Sequence, residues 1–248
     1  MTAASTSRDA DFSAGRVLGD SFRVLGSNLP AFLFLSLLLL SPVYLFLALV
    51  VLDADLVLSV PDVVFEYGVT FAEMLLGFVA QAAVVYGTVR HLQGRRAGFA
   101  ENVIGGLRKV VPVAFVAIAA GFATMLGMMF FLVPGLMIMT AYWVAVPAAV
   151  VEDRGIGASL TRSGDLTRDY RWRVFGVILV SLAFEVVSEN LVGSVFGFED
   201  NYYLSLAAAW LLAGASTALG AVLSAVTYHE LRRVKEGVDV DQIAAVFD

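Results

Sequence analysis

The chain is divided by long runs that carry no charge, and the residues at the ends of these runs supply the helix signals. Between Arg23 and Asp53 the stretch 24–52 contains no Asp, Glu, Lys or Arg. Pro30 after Asn28 suits a helix start at a water boundary. About 20 apolar residues cross a bilayer, so this run predicts a first span over 29–52. A second uncharged run, residues 110–151, is 42 residues long. It is too long for one crossing and must fold back once. Pro134-Gly135 places that turn, because proline ends a helix and glycine permits a reversal, which gives spans over 110–132 and 136–151. A third run follows Asp200 and stops at His229, Glu230 and Arg232, predicting a span over 202–228.

Two further spans carry acid. The segment 69–89 is apolar except for Glu73 near one end and Gln81 near the middle, and 173–196 contains Glu185 and Glu189. The distribution of Lys and Arg requires both. Cations precede span one (Arg8, Arg16, Arg23), lie between spans two and three (Arg90, Arg95, Arg96, Arg108, Lys109), lie between four and five (Arg154, Arg162, Arg168, Arg171, Arg173), and follow span six (Arg232, Arg233, Lys235). The alternate connections hold Asp53, Asp55, Asp62 and Glu66, then Glu199 and Asp200. Such sorting predicts a multi-pass membrane protein with both termini cytoplasmic. The predicted fold class is therefore all-α: a polytopic six-helix membrane bundle forming one domain over 1–248, with cytoplasmic ends over 1–28 and 229–248. The first 28 residues contain Arg and Asp throughout and no short apolar core with a cleavage site, so a cleaved signal peptide is not expected.

Each odd-numbered span is preceded by an amphipathic stretch, predicted as an interfacial cytoplasmic helix. Ala14, Val17, Leu18, Phe22 and Leu25 recur at helical spacing opposite Arg16, Asp20 and Arg23, with Ser13 as N-cap. Phe99, Val103 and Leu107 precede span three, and Ile156, Leu160 and Leu166 lead to Tyr170 before span five. This order allows three parallel hairpin modules near 12–91, 98–153 and 155–236. The plainer alternative is that any six-span chain with basic inner loops has this pattern.

Composition removes several function classes. Of 248 residues, 59% are hydrophobic and 15% charged, against about 25% charged in a soluble domain, and mean hydropathy is +0.83. A net charge of -6 argues against nucleic-acid partners, since there is no cation surplus to replace phosphate counterions. Without cysteine, disulfides and thiolate metal sites are excluded.

The candidate chemistry lies at two places. Glu185 and Glu189 are one helical turn apart and Glu73 lies toward the same outer side, with no cation in any outer loop, or in any span beyond its inner end, to neutralise them. They suggest an outward vestibule for a cation, a proton or a cationic solute; the alternative is that they sit in headgroup water at span ends. At the inner face, Glu152, Arg162, Ser163, Arg168, Arg171, Trp172 and Arg173 combine carboxylate, hydroxyl, guanidinium and an interfacial indole. They suit either the docking of inner helices by ion pairs or the recognition of a phosphate headgroup. Ser216, Gly220 and Ser224, and Ala119, Ala123 and Gly127, recur at four-residue steps that let helices approach closely. Met128, Met129, Phe130 and Phe131 suit lipid contact or core packing. His91 and His229 lie at inner span ends, where capping or headgroup contact is expected. No catalytic motif, metal site or cofactor box is present in the sequence.

The order Phe12 to Leu25, Pro134-Gly135, Pro147 with Glu152, then Ala158, Leu160, Arg162-Ser163, Leu166-Thr167 and Trp172-Arg173, and finally Tyr228-His229-Glu230-Leu231-Arg232 with Lys235-Glu236-Gly237, resembles the bacterial six-span proteins of the glycerophosphodiester phosphodiesterase membrane-domain family. It is also similar to YciC-type inner-membrane proteins. The likeness covers nearly the whole chain; Glu230 stands where that family usually has Asp. It implies a membrane-embedded, lipid-related module and no phosphodiesterase activity, because the family's enzymes carry that chemistry in a separate soluble domain with paired histidines and metal-binding carboxylates. The leading expectation is a non-enzymatic protein that binds or organises lipids, anionic ones included, or assists a membrane complex or a second copy of itself. The alternative is a small transporter or channel built on Glu73, Glu185 and Glu189.

Overall fold

A computed structural model describes residues 11–52, 62–94, 99–153, 155–196 and 201–237. Arg8, Arg95, Arg96, Arg154, Asp53, Asp55, Glu199 and Asp200 lie outside the described residues. The chain forms eight α-helices among them: α1 Ala14–Leu52, α2 Asp62–Leu92, α3 Phe99–Phe130, α4 Leu132–Tyr142, α5 Ala145–Glu152, α6 Ile156–Thr167, α7 Arg171–Leu191 and α8 Tyr202–Glu236. A π-turn, Val192–Phe196, extends α7. Six segments are long and apolar enough to cross a membrane, with α4 and α5 together making the fourth. The fold is thus the six-span helical membrane bundle that the uncharged runs predict.

Three predicted boundaries move. Helix α1 begins at Ala14, and Pro30 lies inside it rather than at its start. The amphipathic segments before spans one and three are continuous with those spans, in α1 and α3; only α6 is a separate helix. Pro42 within α1 is tolerated because a neighbouring side chain supplies the missing donor. Pro42 has no N–H for the Leu38 carbonyl, and the Ser41 hydroxyl donates to that oxygen at 2.7 Å. In the turn before Pro30, Ser27 Oγ donates to the Arg23 carbonyl at 2.8 Å and Asn28 Nδ2 to the Val24 carbonyl at 2.9 Å.

The third boundary is the central hairpin. The chain reverses at Phe131, which is extended (φ -157°), three residues before Pro134. Pro134 then occupies the first turn of α4, where its missing N–H costs nothing. Gly135 packs against α3: a Cβ there would lie 2.7 Å from the Met128 backbone nitrogen. The returning span breaks again at Trp143-Val144, because Pro147 cannot donate to the Trp143 carbonyl and its ring crowds that oxygen. Across the break, Ser163 Oγ of α6 donates to the Ala141 carbonyl at 2.7 Å.

The core runs through the half of the bundle that holds the N-terminus of α1 and the C-terminus of α8. Val17, Val24, Ala82–Val85, Val113, Val116, Val144, Val174, Ile178, Leu223 and Leu231 are buried there. Long-range contacts bring the basic segments to this one end: Arg16 meets Glu230 at 2.9 Å, Lys109 meets Asp153 at 2.6 Å, Lys235 meets Asp169 at 2.8 Å, and Asn28 Nδ2 lies 3.2 Å from His91 Nδ1.

Candidate functional site

Between α1, α2, α7 and α8 lies a cavity of about 710 Å³, and all three acidic residues singled out in the spans line it. Glu73 projects from α2; Glu185 and Glu189, one turn apart, project from α7. The cavity extends along α7 from Ser181 to Gly193, twelve residues or roughly 18 Å of helical rise. It therefore reaches the end of the bundle opposite the basic segments. Hydroxyls and amide of Gln81, Ser181, Ser188, Ser216 and Thr217 alternate with apolar groups such as Leu40, Phe78 and Leu212. No Lys or Arg is among the lining residues.

Tyr44 of α1 fixes one carboxylate. Its hydroxyl donates to Glu73 Oε1 at 2.7 Å, holding the side chain against the α1 wall. Glu185 and Glu189 are exposed, whereas Ser188 between them is buried. Among the described residues no group of three His, Cys, Asp or Glu side chains converges to hold a metal ion. The acids line a long chamber and do not form a compact cage. Small residues matter here in a way the spacing did not reveal: Ser216 and Gly220 of the predicted packing stripe line the chamber, while Ser224 is buried. The close helix contact falls instead at Gly214, where a Cβ would lie 2.6 Å from Leu37 Cδ2.

The inner-face candidates form a different arrangement. Glu152, at the C-terminus of α5, accepts from Arg162 Nε and from the Tyr228 hydroxyl, both at 2.7 Å. Arg162 also pairs with Glu236 at the end of α8, which Arg232 holds from the other side. Burial works against the Arg162 charge, yet the hydrogen bonds to Glu152 and Glu236 more than compensate, so its pKa is raised. Arg173 donates to the Phe12 carbonyl and pairs with Asp11, both at 2.6 Å. Arg162, Ser163 and Arg173 thus join α4, α5, α6, α7, α8 and the chain before α1. Arg168 and Trp172 are exposed, Trp172 at 85%, and Arg171 is half-buried.

The two groups of candidates lie at different places in the fold, and each has partners that the sequence reading did not name with it. Tyr44, Gln81 and Ser181 complete the chamber, and Tyr228, Glu236 and Arg16 complete the basic end. A tyrosine in an otherwise apolar stretch, Tyr44, was the available signal for the first. No family model, curated protein or solved structure matches the chain.

Proposed function

We propose that this chain, a multi-pass protein of the bacterial cytoplasmic membrane, binds a small cationic solute in the chamber between α1, α2, α7 and α8 as a step in its passage across the bilayer. The observation that carries this reading is the convergence of Glu73, Glu185 and Glu189 on one cavity whose lining includes no cation. Carboxylates at membrane depth are costly unless they meet water, protons or a cation. A chamber near 710 Å³ lies within the range of small-molecule sites, roughly 300–1,000 Å³. Its mixed hydroxyl and apolar walls suit an organic amine better than a bare ion. The positive-inside rule places the basic end in the cytoplasm and opens the acidic chamber to the outer half of the membrane.

The test is uptake into proteoliposomes, with radiolabelled methylammonium and rubidium as probes. Saturable uptake of methylammonium is expected, falling at least tenfold in Glu185→Gln. Uptake of both probes no faster than in protein-free vesicles, or equal uptake by wild type, Glu185→Gln and Glu73→Gln, overturns the proposal.

The lipid-organising reading has one favourable observation of its own, the exposure of Arg168 and Trp172 at the basic end. It is narrower than the sequence pattern suggested, because Arg162 and Arg173 are engaged within the protein. Retention of anionic lipid by the purified protein falls in the double variant Arg168→Gln, Arg171→Gln on this reading, and is unchanged otherwise. The resemblance to the six-span membrane-domain family accords with both readings and assigns neither.

A further inference from the structure

The α3–α4 hairpin ends in a tip whose side chains have nothing to offer water. From Met125 to Met139 no side chain carries a nitrogen or an oxygen, and Met129, Phe130, Phe131, Leu132 and Val133 are 64–80% exposed. The hydroxyls that flank this stretch turn inward on their own helices. Thr124 donates to the Ala120 carbonyl at 2.8 Å and Thr140 to the Met137 carbonyl at 2.9 Å. The reversal pairs part of its backbone: the Phe131 N–H bonds the Gly127 carbonyl at 3.1 Å, the Gly135 N–H bonds the Phe131 carbonyl at 3.2 Å, and Pro134 has no N–H to satisfy, while the Leu132 and Val133 N–H groups stand in the first turn of α4 without an intrahelical partner. Hydrocarbon excludes unpaired backbone groups, so these two N–H groups keep the turn at the hydrocarbon boundary while the side chains around it enter the acyl region.

Length agrees with polarity. The apolar part of α3, Val111–Phe130, is 20 residues, or about 30 Å at 1.5 Å per residue, which equals the hydrocarbon thickness only for an untilted helix. A tilt near 20° brings the tip about 2 Å short of the far boundary. The neighbouring span Phe65–Leu92 has 28 residues, roughly 42 Å, and begins beside Glu66 and Tyr67; α8 begins at Asn201, with Tyr202 and Tyr203. Those two far-end connections carry groups suited to water or headgroups.

We infer that the α3–α4 hairpin ends at the far boundary of the hydrocarbon, with lipid acyl chains as the partner of its apolar tip side chains, and that the third and fourth spans have no polar loop between them. Gly127 and Gly135 allow this by bringing the two limbs into backbone contact. The inference does not depend on what the acidic chamber binds.

The absence of native cysteine makes the test direct. Phe131→Cys, Met129→Cys and, as an aqueous control at the same end, Glu66→Cys are spin-labelled and reconstituted in phospholipid vesicles. Collisional relaxation is then measured with oxygen, which partitions into hydrocarbon, and with a water-soluble nickel chelate. At positions 129 and 131 oxygen is expected to exceed the nickel chelate by at least fivefold, with the ratio reversed at position 66. Access of the nickel chelate to positions 129 and 131 equal to that at 66 overturns the inference, as does exclusion of both reagents, which would mean that protein covers the tip. Agreement between two independent tip positions guards against a variant that fails to fold.

Discussion

Gly135 and Met128 show how a single hydrogen can set a hairpin. A methyl group at Gly135 would collide with Met128 Cγ and stand 2.7 Å from Met128 N, and the second neighbour is backbone that cannot rotate away. Gly135→Ala is therefore expected to destabilise the protein by about 1–3 kcal/mol, the usual cost of overpacking, seen as a lower thermal midpoint in detergent; an unchanged midpoint contradicts the close approach. Glu152 makes the opposite kind of contact, a carboxylate only 10% exposed that holds Arg162 and Tyr228. Glu152→Gln removes the charge while Glu236 still serves Arg162, so a loss of about 2 kcal/mol is expected in denaturant unfolding. The chain announces Glu152 and Arg162 by their charge next to apolar runs. It does not announce Tyr228 and Glu236, which lie 76 and 74 positions away from their partners, because spacing is informative only within one helix.

Among the elements, the uncharged runs made the spans legible and left their ends less so. Pro30 looks like a helix start in sequence, yet the helix runs through it from Ala14 to Leu52. The break at Trp143-Val144 follows from Pro147, but an uncharged run gives no sign that the fourth span is two helices. Short tethers hold the termini of these elements together at the basic end. Asp169, after α6, hydrogen-bonds Lys235 of α8, which lowers its pKa below the ordinary 3.8; Asp11 is lowered in the same direction by its hydrogen bond to Arg173. A carboxylate with a lowered folded-state pKa contributes stability at neutral pH, and that contribution is lost as pH falls below 3.8 toward the folded value. Asp169→Asn is expected to lower the thermal midpoint at pH 7 and to leave a smaller difference from wild type at pH 3. A difference that grows as pH falls contradicts this tether.

At the scale of the whole molecule, the two ends of the bundle differ in chemistry. One gathers the ion pairs of α1, α3, α5, α6, α7, α8 and the segments flanking them and contains the core; the other holds the chamber with Glu73, Glu185 and Glu189. Charge sorting made this polarity legible, and helical periodicity placed Glu185 with Glu189, but only the packing of α1 and α2 against α7 and α8 brings Glu73 to the same cavity. Both the proposed role of the chamber and the proposed cytoplasmic position of the arginines depend on these ends facing opposite sides of a membrane. Single cysteines at Glu66 and Tyr203, and at Gln93 and Arg168, probe the two ends when a membrane-impermeant maleimide is applied to sealed vesicles of known orientation. Positions 66 and 203 are predicted to react only from the outer side and positions 93 and 168 only after the inner side is opened; labelling of 66 and 93 from the same side would contradict it.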